Sequence, residues 1–292
     1  MSTIEGRTSM RRTRSLVPLV GVLPFLAYLA VFLLIPTVVV IVGAFTENGT
    51  FDLGNIRALS NSATVDALRN SVVLSGSTAL IGGVLGALLA TVIASAPERS
   101  LLRRAVLALS GSLAQTGGVS LAFAWMATIG GTGTLTVLLQ KALSVDIYGS
   151  GWLYTLHGLI LVYCYFQIPL MVIVFLPAVD GLRAQWREAA ETLGASRLQY
   201  LTQVAGPLLL PAFLGSLLLL FANAFAAYAT AAALVSQGSP ILPLMIRAAL
   251  TSEIVLGQQH LAYAIALEMI VVVALVMTAY ALLLRRSSRW MR

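Results

Sequence analysis

The stretch Glu188-Ala-Ala-Glu-Thr-Leu-Gly-Ala-Ser196 is a short polar island between two long apolar segments, at 152–177 and 207–235. An acidic residue and two alanines come first, then Gly194 six positions after that acid, and Pro207 thirteen positions beyond the glycine. A segment needs only apolar residues to cross a bilayer, so this polar pattern is not required for membrane insertion. Taken alone, the island is either a solvated loop helix or a docking element for another protein.

The composition is that of an integral membrane protein. Hydrophobic residues make up 59% of the 292 residues, charged residues only 10%, and the mean hydropathy is +0.92. A soluble domain has about 25% charged residues, so this chain lacks the polar residues to cover a water-facing surface. Its single cysteine, Cys164, excludes an intrachain disulfide, and its apolar setting favours an inert buried thiol.

Six stretches are long and apolar enough to cross a bilayer as helices. Membrane-spanning strands would instead appear as short segments of alternating polarity, so the sequence predicts an all-α protein. The third stretch is interrupted by Ser110-Gly-Ser112 and by Gly117-Gly118. The six predicted spans are Leu16–Ala44, Leu68–Ala94, Leu102–Ile129, Trp152–Pro177, Pro207–Val235 and Ala262–Leu284.

The basic residues predict the orientation. Six spans place both termini on one side, and that side would hold fourteen of the eighteen Lys and Arg residues: four in each tail and three in each loop on that side. By the positive-inside rule this side is the cytoplasm. We therefore expect cytoplasmic basic tails at 1–15 and 286–292 around a membrane domain at 16–285, with the loop 180–207 in the cytoplasm. Because these arginines flank spans, the pI of about 10.0 needs no nucleic-acid partner.

The local sequence predicts two short helices in this loop. Residues 184–193 are good helix formers, and Gly194 suits a left-handed helix stop. Ser196 and Gln199 have the spacing of a capping box, and Pro207 suits the first turn of the fifth span.

The loop resembles the conserved "EAA" loop of permease subunits in binding-protein-dependent ATP-binding cassette importers. That pattern is Glu-Ala-Ala, three residues, Gly, nine residues, Ile, one residue, Leu-Pro. Glu188-Ala-Ala190, Gly194 and Pro207 match it, while Val204 replaces Ile and Gly206 replaces Leu. The Leu-Gly-Ala-Ser form at 193–196 is most similar to the branch that imports polyamines, ferric iron, thiamine, phosphonates and oxyanions.

The resemblance implies a type I importer permease fold in the bacterial cytoplasmic (inner) membrane. The loop would be a coupling helix that docks on a separate ATPase and transmits its motion to the spans. The implied partners are two ATPase subunits, a second permease subunit (a paralogue rather than an identical copy) and an extracytoplasmic binding protein. The coupling residues would be Glu188, Ala189, Ala190, Gly194, Ala195 and Pro207.

The chain itself holds no ATP site of the P-loop type. Such a loop needs a lysine followed by Ser or Thr, and the only lysine, Lys141, is followed by Ala142. We therefore expect no cofactor on this chain, with ATP and magnesium bound by the partner. The two histidines, His157 and His260, have no metal or catalytic spacing, so we expect a transport subunit and no enzyme.

Polar side chains inside spans are the candidates for a substrate path, because burying them in lipid is costly. Glu268 is the strongest candidate, since its span is otherwise almost wholly apolar. Its carboxylate would either attract a cationic substrate such as a polyamine or make a structural hydrogen bond to a neighbouring span. It also leaves open a secondary transporter driven by protons at Glu268; an exporter or regulatory subunit is a further alternative. The weaker candidates, for which interhelical hydrogen bonds are the competing interpretation, are Tyr163, Gln167, Asn223 and Tyr228.

Overall fold

A computed structural model of the chain describes residues 17–47, 49–97, 99–149, 151–235, 240–251 and 259–287. The predicted tail at 1–15 and most of the tail at 286–292 lie outside this part.

The described chain is almost entirely helical. Three short helical segments are not α-helical: a 3₁₀ turn at Trp152–Tyr154, and π turns at Ala30–Leu34 and Leu201–Ala205. The strands β1 (Thr46–Glu47) and β2 (Thr50–Phe51) form one small antiparallel hairpin. The α-helices are α1 (Val17–Leu29), α2 (Ile35–Ala44), α3 (Gly54–Ala58), α4 (Ser62–Ala94), α5 (Leu101–Gln115), α6 (Val119–Ile129), α7 (Thr134–Leu143), α8 (Leu156–Asp180), α9 (Ala184–Thr192), α10 (Arg197–Tyr200), α11 (Gly206–Ala226), α12 (Ala229–Leu234), α13 (Leu242–Thr251) and α14 (Gln259–Ser287).

Six helical stretches of the described chain are long and apolar enough to cross a membrane, which confirms the predicted all-α fold with six candidate spans. Four of them overlap the predicted spans closely, and the third and fifth differ. The six stretches are Val22–Ala44, Ser62–Ala94, Val119–Leu143, Leu156–Asp180, Arg197–Ala226 and His260–Leu282.

The third predicted span, 102–129, is two helices and not one. Helix α5 ends at Gln115 and α6 begins at Val119, with Gly118 between them at φ +84°, where only glycine is comfortable. Length and composition favour a span that joins α6 to α7 instead. The packing favours α5 with α6, because the two together run antiparallel along α8: Arg103 lies beside Asp180, and Trp125 beside Tyr165.

The fifth predicted span, 207–235, is wrong at both ends. The helix begins at Arg197, because the capped turn α10 continues through the π turn into α11. It ends at Ala226, and α12 forms a separate short helix after a break at Ala227 and Tyr228. The sequence did not indicate this break, because alanine and tyrosine are both acceptable within a helix.

Both π turns come immediately before a proline. Pro36 and Pro207 occupy the second position of the α-helices that follow. Proline has no N–H and its ring collides with the carbonyl four residues earlier. The wider turn relieves this collision: the residue before each proline donates to the carbonyl five residues back, Ile35 to Ala30 and Gly206 to Leu201.

The centre of the fold is the contact between α4 and α8, and it depends on glycine. A Cβ atom added to Gly82 would come 2.8 Å from Cβ of Gln167, and one added to Gly86 would come 2.5 Å from Cβ of Met171. Gly82 and Gly86, one helical turn apart, therefore let α4 and α8 approach closely.

The packing divides the bundle into two ends. The α9 end carries α9, the turn between α4 and α5, the beginning of α1 and the end of α14. At the opposite end, His260 contacts the carbonyl of Gly43, and the N–H of Leu242 donates to the hydroxyl of Ser71. This opposite end also carries the short helix α13.

Candidate functional site

The loop between α8 and α11 begins with a closed helix stop. The N–H of Ala195 donates to the carbonyl of Ala190, at 2.9 Å, and the N–H of Gly194 donates to that of Glu191, at 3.0 Å. Gly194 has φ +79°. These two bonds around a left-handed glycine form a Schellman motif, which satisfies carbonyls that the helix end would leave unpaired. The predicted stop at Gly194 is confirmed.

The next turn is fixed by the predicted capping box. The N–H of Gln199 donates to the Ser196 hydroxyl, at 3.3 Å, and the N–H of Ser196 donates to the Gln199 side-chain oxygen, at 2.7 Å. Between α9 and α10 only Leu193 to Ser196 lie outside helices. The loop is therefore a short, well-defined pair of helices at the α9 end, joined directly to spans α8 and α11.

Helix α9 lies outside the bundle. Of its nine residues only Ala190 is buried, at 9% exposed. Glu188 and Ala189 are exposed and so is Gly194, which has no atom within 4 Å of the position where a Cβ would lie. Three of the predicted coupling positions are thus free for contact with another protein.

The remaining predicted coupling positions differ from these. Ala190 is buried against its own chain and its carbonyl closes the Schellman motif, so it shapes the loop and does not present a surface. Ala195 is half-buried, and its N–H donates the hydrogen bond to the carbonyl of Ala190. Pro207 is exposed at the start of α11, where its position explains the preceding π turn.

Three apolar side chains in this loop were missed by sequence reasoning. Leu193 is 86% exposed and Leu198 is 70% exposed, on either side of the turn. Trp186 is also exposed, with the Arg183 guanidinium 5.7 Å from its ring centre. Apolar side chains this exposed outside the spans mark an interaction surface. The signal was available, since both leucines flank the glycine turn within a polar stretch.

Two of the predicted path residues are brought together between α8 and α11. The side-chain amide of Gln167, fully buried, donates to the carbonyl of Leu220 at 2.7 Å. Its oxygen accepts from the amide of Asn223 at 3.3 Å. Asn223 itself is exposed. An amide exposed at this depth would be costly in lipid, so this face of α11 is suited to a second protein or to water.

The other two weaker candidates lie at the break between α11 and α12. The Tyr163 hydroxyl donates to the carbonyl of Ala227, at 2.8 Å, which replaces a helical bond lost at the break. The Tyr228 hydroxyl accepts from the Arg247 guanidinium, at 2.5 Å. Tyr163 is fully buried and therefore structural, whereas Tyr228 is only half-buried.

Glu268 lies apart from that group. It is half-exposed on α14, and one of its carboxylate oxygens is buried without a hydrogen-bond partner among the described residues. That oxygen therefore makes no hydrogen bond to a neighbouring span within the described chain, which is the bond that a structural role for Glu268 would require. Across the same residues, no group of three or more His, Cys, Asp or Glu side chains could hold a metal ion.

A helical protein with six candidate spans and an exposed, capped loop between the fourth and fifth of them has the form of a transport subunit. Residues 120–289 match the family model described as the inner membrane component of binding-protein-dependent transport systems. The chain belongs to this family.

Two curated proteins are similar over 196 residues, or 67% of this chain. A putative ferric transport system permease protein of Haemophilus influenzae is 26% identical, and a ferric transport system permease protein of Actinobacillus pleuropneumoniae is 24% identical. The matched region is only 30% and 28% of those proteins, respectively. Both relatives are therefore more than twice as long as this chain.

Two solved structures share the fold. A chain of a bacterial transporter that imports the acidic polysaccharide alginate matches with a TM-score of 0.72 and 18% identity, over 94% of this chain and 96% of that one. A chain of an alginate transporter in complex with a pentasaccharide-bound periplasmic protein matches with a TM-score of 0.73 and 19% identity, over 94% and 95%. These matches support the predicted importer permease fold.

Proposed function

We propose that this chain is the permease subunit of an ATP-driven importer, that its α9 end is cytoplasmic, and that α9 docks on a separate ATPase. The observation that carries this proposal is the α9 loop itself. It is held in one shape by two capping motifs, yet it leaves Glu188, Ala189 and the large apolar Leu193 exposed outside the spans. A rigid exposed surface binds a partner with little loss of conformational freedom.

The orientation is supported by charge. The arginines of the α9 loop and of the turn after α4 lie at one end, with the basic tails expected beside them. Excess Lys and Arg mark the cytoplasmic side of a membrane protein. Docking at this end therefore gives the loop access to an ATPase in the cytoplasm, and leaves α13 and the β1–β2 hairpin for an extracytoplasmic binding protein.

A second permease subunit is part of the proposal. The ferric permease relatives are more than twice as long as this chain, which is room for two units of its size. Here a separate subunit, which we expect to be a paralogue, would supply the second unit. Each unit would then dock one ATPase subunit, so that closure of two ATPases moves two loops and shifts the spans between inward- and outward-facing states.

We propose ferric iron, or a small complex of it, as the substrate. The polyamine expected from the sequence is withdrawn, because the curated relatives are named for ferric transport. Glu268 suits a cation, since its partly buried carboxylate has an oxygen without a hydrogen-bond partner in the described chain. Asn223, held by Gln167 on an exposed face of α11, and Tyr228 are the other proposed path residues.

The test is reconstitution in liposomes with the ATPase, the second permease and the iron-loaded binding protein. We expect iron uptake that requires ATP inside and continues when the proton gradient is collapsed. Uptake by this chain without the ATPase, driven by an imposed proton gradient, would contradict the proposal and favour a secondary transporter that uses Glu268.

A further inference from the structure

The chain joins helix α9 to the bundle at both of its ends. At one end three residues separate α9 from Asp180, the last residue of α8; at the other end the chain continues through α10 into α11. Its own surface is almost entirely exposed. Any displacement of α9 by a partner must therefore enter the bundle through these two attachments, and the structures around them determine which helices move with it.

The attachment at α8 is fixed to α5 by an ion pair. The guanidinium of Arg103 lies 2.5 Å from a carboxylate oxygen of Asp180, and it also donates to the carbonyl of Ala96, at 3.3 Å. The Arg103 side chain is only 9% exposed and that of Asp180 is 33% exposed. The backbone of Arg103 is held too, because its N–H donates to the Ser100 hydroxyl that caps α5. The beginning of α5 is thus fastened to the end of α8.

A second fixed point lies three residues beyond the end of α5, at Gly118, the N-cap of α6. After α5 ends, the N–H of Gly118 donates to the Thr230 hydroxyl at 2.8 Å, and that hydroxyl donates to the carbonyl of Gly118 at 3.2 Å. Thr230 is buried and lies in α12. A single side chain thus satisfies both backbone groups at the break between α5 and α6, and it joins that break to the short helix α12.

Helix α12 follows the other break, at Ala227 and Tyr228, one turn beyond Asn223. Fifteen residues of α-helix are about 22 Å long, so α5 extends from the α9 end through most of the bundle toward this region. An α-helix is stiff along its axis, so α5 displaced at Arg103 moves as one body and carries with it the short break 116–118, which Thr230 holds at Gly118.

We propose that α5 is a strut that carries the displacement of α9 to the break between α11 and α12, through two joints: Arg103–Asp180 and Gly118–Thr230. The inference rests on the proposed function, since it assumes that an ATPase moves α9. When α9 is displaced, the end of α8 moves, the ion pair moves α5, and Thr230 moves α12 relative to α11. Arg103 and Thr230 are positioning residues here, without contact with substrate.

The first joint is tested with Arg103→Gln and Asp180→Asn in the reconstituted importer. The matched control is Arg104→Gln, which removes the same charge from the neighbouring, exposed position. Both joint variants should still bind the ATPase and hydrolyse ATP at near the normal rate, while the iron imported per ATP falls at least fivefold. The control should not change this ratio, and the exchanged pair Arg103→Asp with Asp180→Arg should restore at least half of it.

Two results would overturn the strut. One is a normal ratio of iron to ATP in Arg103→Gln and Asp180→Asn. The other is a proportional fall of uptake and ATP hydrolysis, which means that the pair only stabilises the fold. Uptake by the wild type without the ATPase would instead contradict the proposed function, independently of the results with the variants.

The second joint keeps the inference testable if those variants fail to assemble. Thr230→Val preserves shape and removes the hydroxyl. Its control is Thr128→Val, because the Thr128 hydroxyl donates to the carbonyl of Ala124 in its own helix and makes no other hydrogen bond within the described residues. A fivefold lower ratio of iron to ATP in Thr230→Val alone supports the strut. An unchanged ratio in Thr230→Val contradicts it.

Discussion

The N–H of Ala195 reaches back over Gly194 to the carbonyl of Ala190, at 2.9 Å, and so closes the exposed end of α9. This bond requires a left-handed residue between its partners, and Gly194 has φ +79°. The glycine of the predicted docking pattern is therefore needed for a turn, in addition to any need for a small surface.

The two needs can be separated at Gly194. Asparagine tolerates the left-handed conformation, whereas a β-branched residue does not. We expect Gly194→Asn to keep the loop structure and Gly194→Val to destabilise the turn by about 1–2 kcal/mol. Amide hydrogen exchange at Ala195 measures this directly, since its N–H is protected only when the turn is closed. Equal protection in both variants would mean that the turn does not depend on the glycine.

The contact between α4 and α8 predicts a large effect of a single methyl group. We expect Gly86→Ala to lower the stability by about 1–3 kcal/mol through overpacking against Met171. Gly76→Ala is the matched control, because it lies in the same helix with nothing within 4 Å of its Cβ position. It should be neutral or slightly stabilising. Thermal unfolding in detergent compares the two, and an equal midpoint would contradict the close approach.

The pair Gln167 and Asn223 predicts different outcomes for its two members. Gln167→Leu leaves polar groups unpaired in the interior, and we expect a loss of about 1–3 kcal/mol in stability. Asn223→Ala removes an exposed amide, and we expect normal stability but slower iron uptake. Unfolding midpoints and uptake rates, measured on the same preparations, distinguish these effects. Normal uptake in Asn223→Ala would exclude its amide from the path.

Glu268 is tested by an isosteric change. Glu268→Gln removes the charge and keeps the shape, so a structural role for the carboxylate predicts little change in uptake. A cation-binding role predicts a decrease of at least tenfold in iron uptake at a normal amount of assembled transporter. Normal uptake in Glu268→Gln would exclude the carboxylate charge from the path.

The orientation is open to chemical labelling. Replacing the buried Cys164 by serine gives a background without cysteine, to which Lys141→Cys or Arg187→Cys is added. Both positions are exposed, the first at the end of α7 and the second in α9. A membrane-impermeant maleimide should label Lys141→Cys in intact cells and Arg187→Cys only after permeabilisation. The reverse pattern would place α9 outside.

The features that the sequence predicts correctly are those that local chemistry determines. The helix stop at Gly194 and the capping box at Ser196 and Gln199 each reflect a rule about neighbouring residues on one segment. The same holds for the number of spans, because a continuous apolar run is itself the signal.

The features that it misses depend on distant residues. The helix break at Gly118 is completed by Thr230, 112 positions away, and the break at Ala227 is completed by Tyr163 on α8. No local pattern contains these partners, so the end of the fifth span was placed nine residues too late. The Arg103–Asp180 pair was likewise hidden, because its residues lie 77 positions apart, at the ends of different helices.

The docking of α9 on an ATPase is the central claim, and co-purification tests it most directly. Tagged ATPase is isolated from cells that express this chain as wild type, Gly194→Trp, Glu188→Lys, or Lys141→Ala, an exposed change at the opposite end. The account predicts that the wild type and Lys141→Ala co-purify with the ATPase, and that Gly194→Trp and Glu188→Lys are largely lost while remaining folded in the membrane. Full recovery of both α9 variants, with normal uptake, would contradict it.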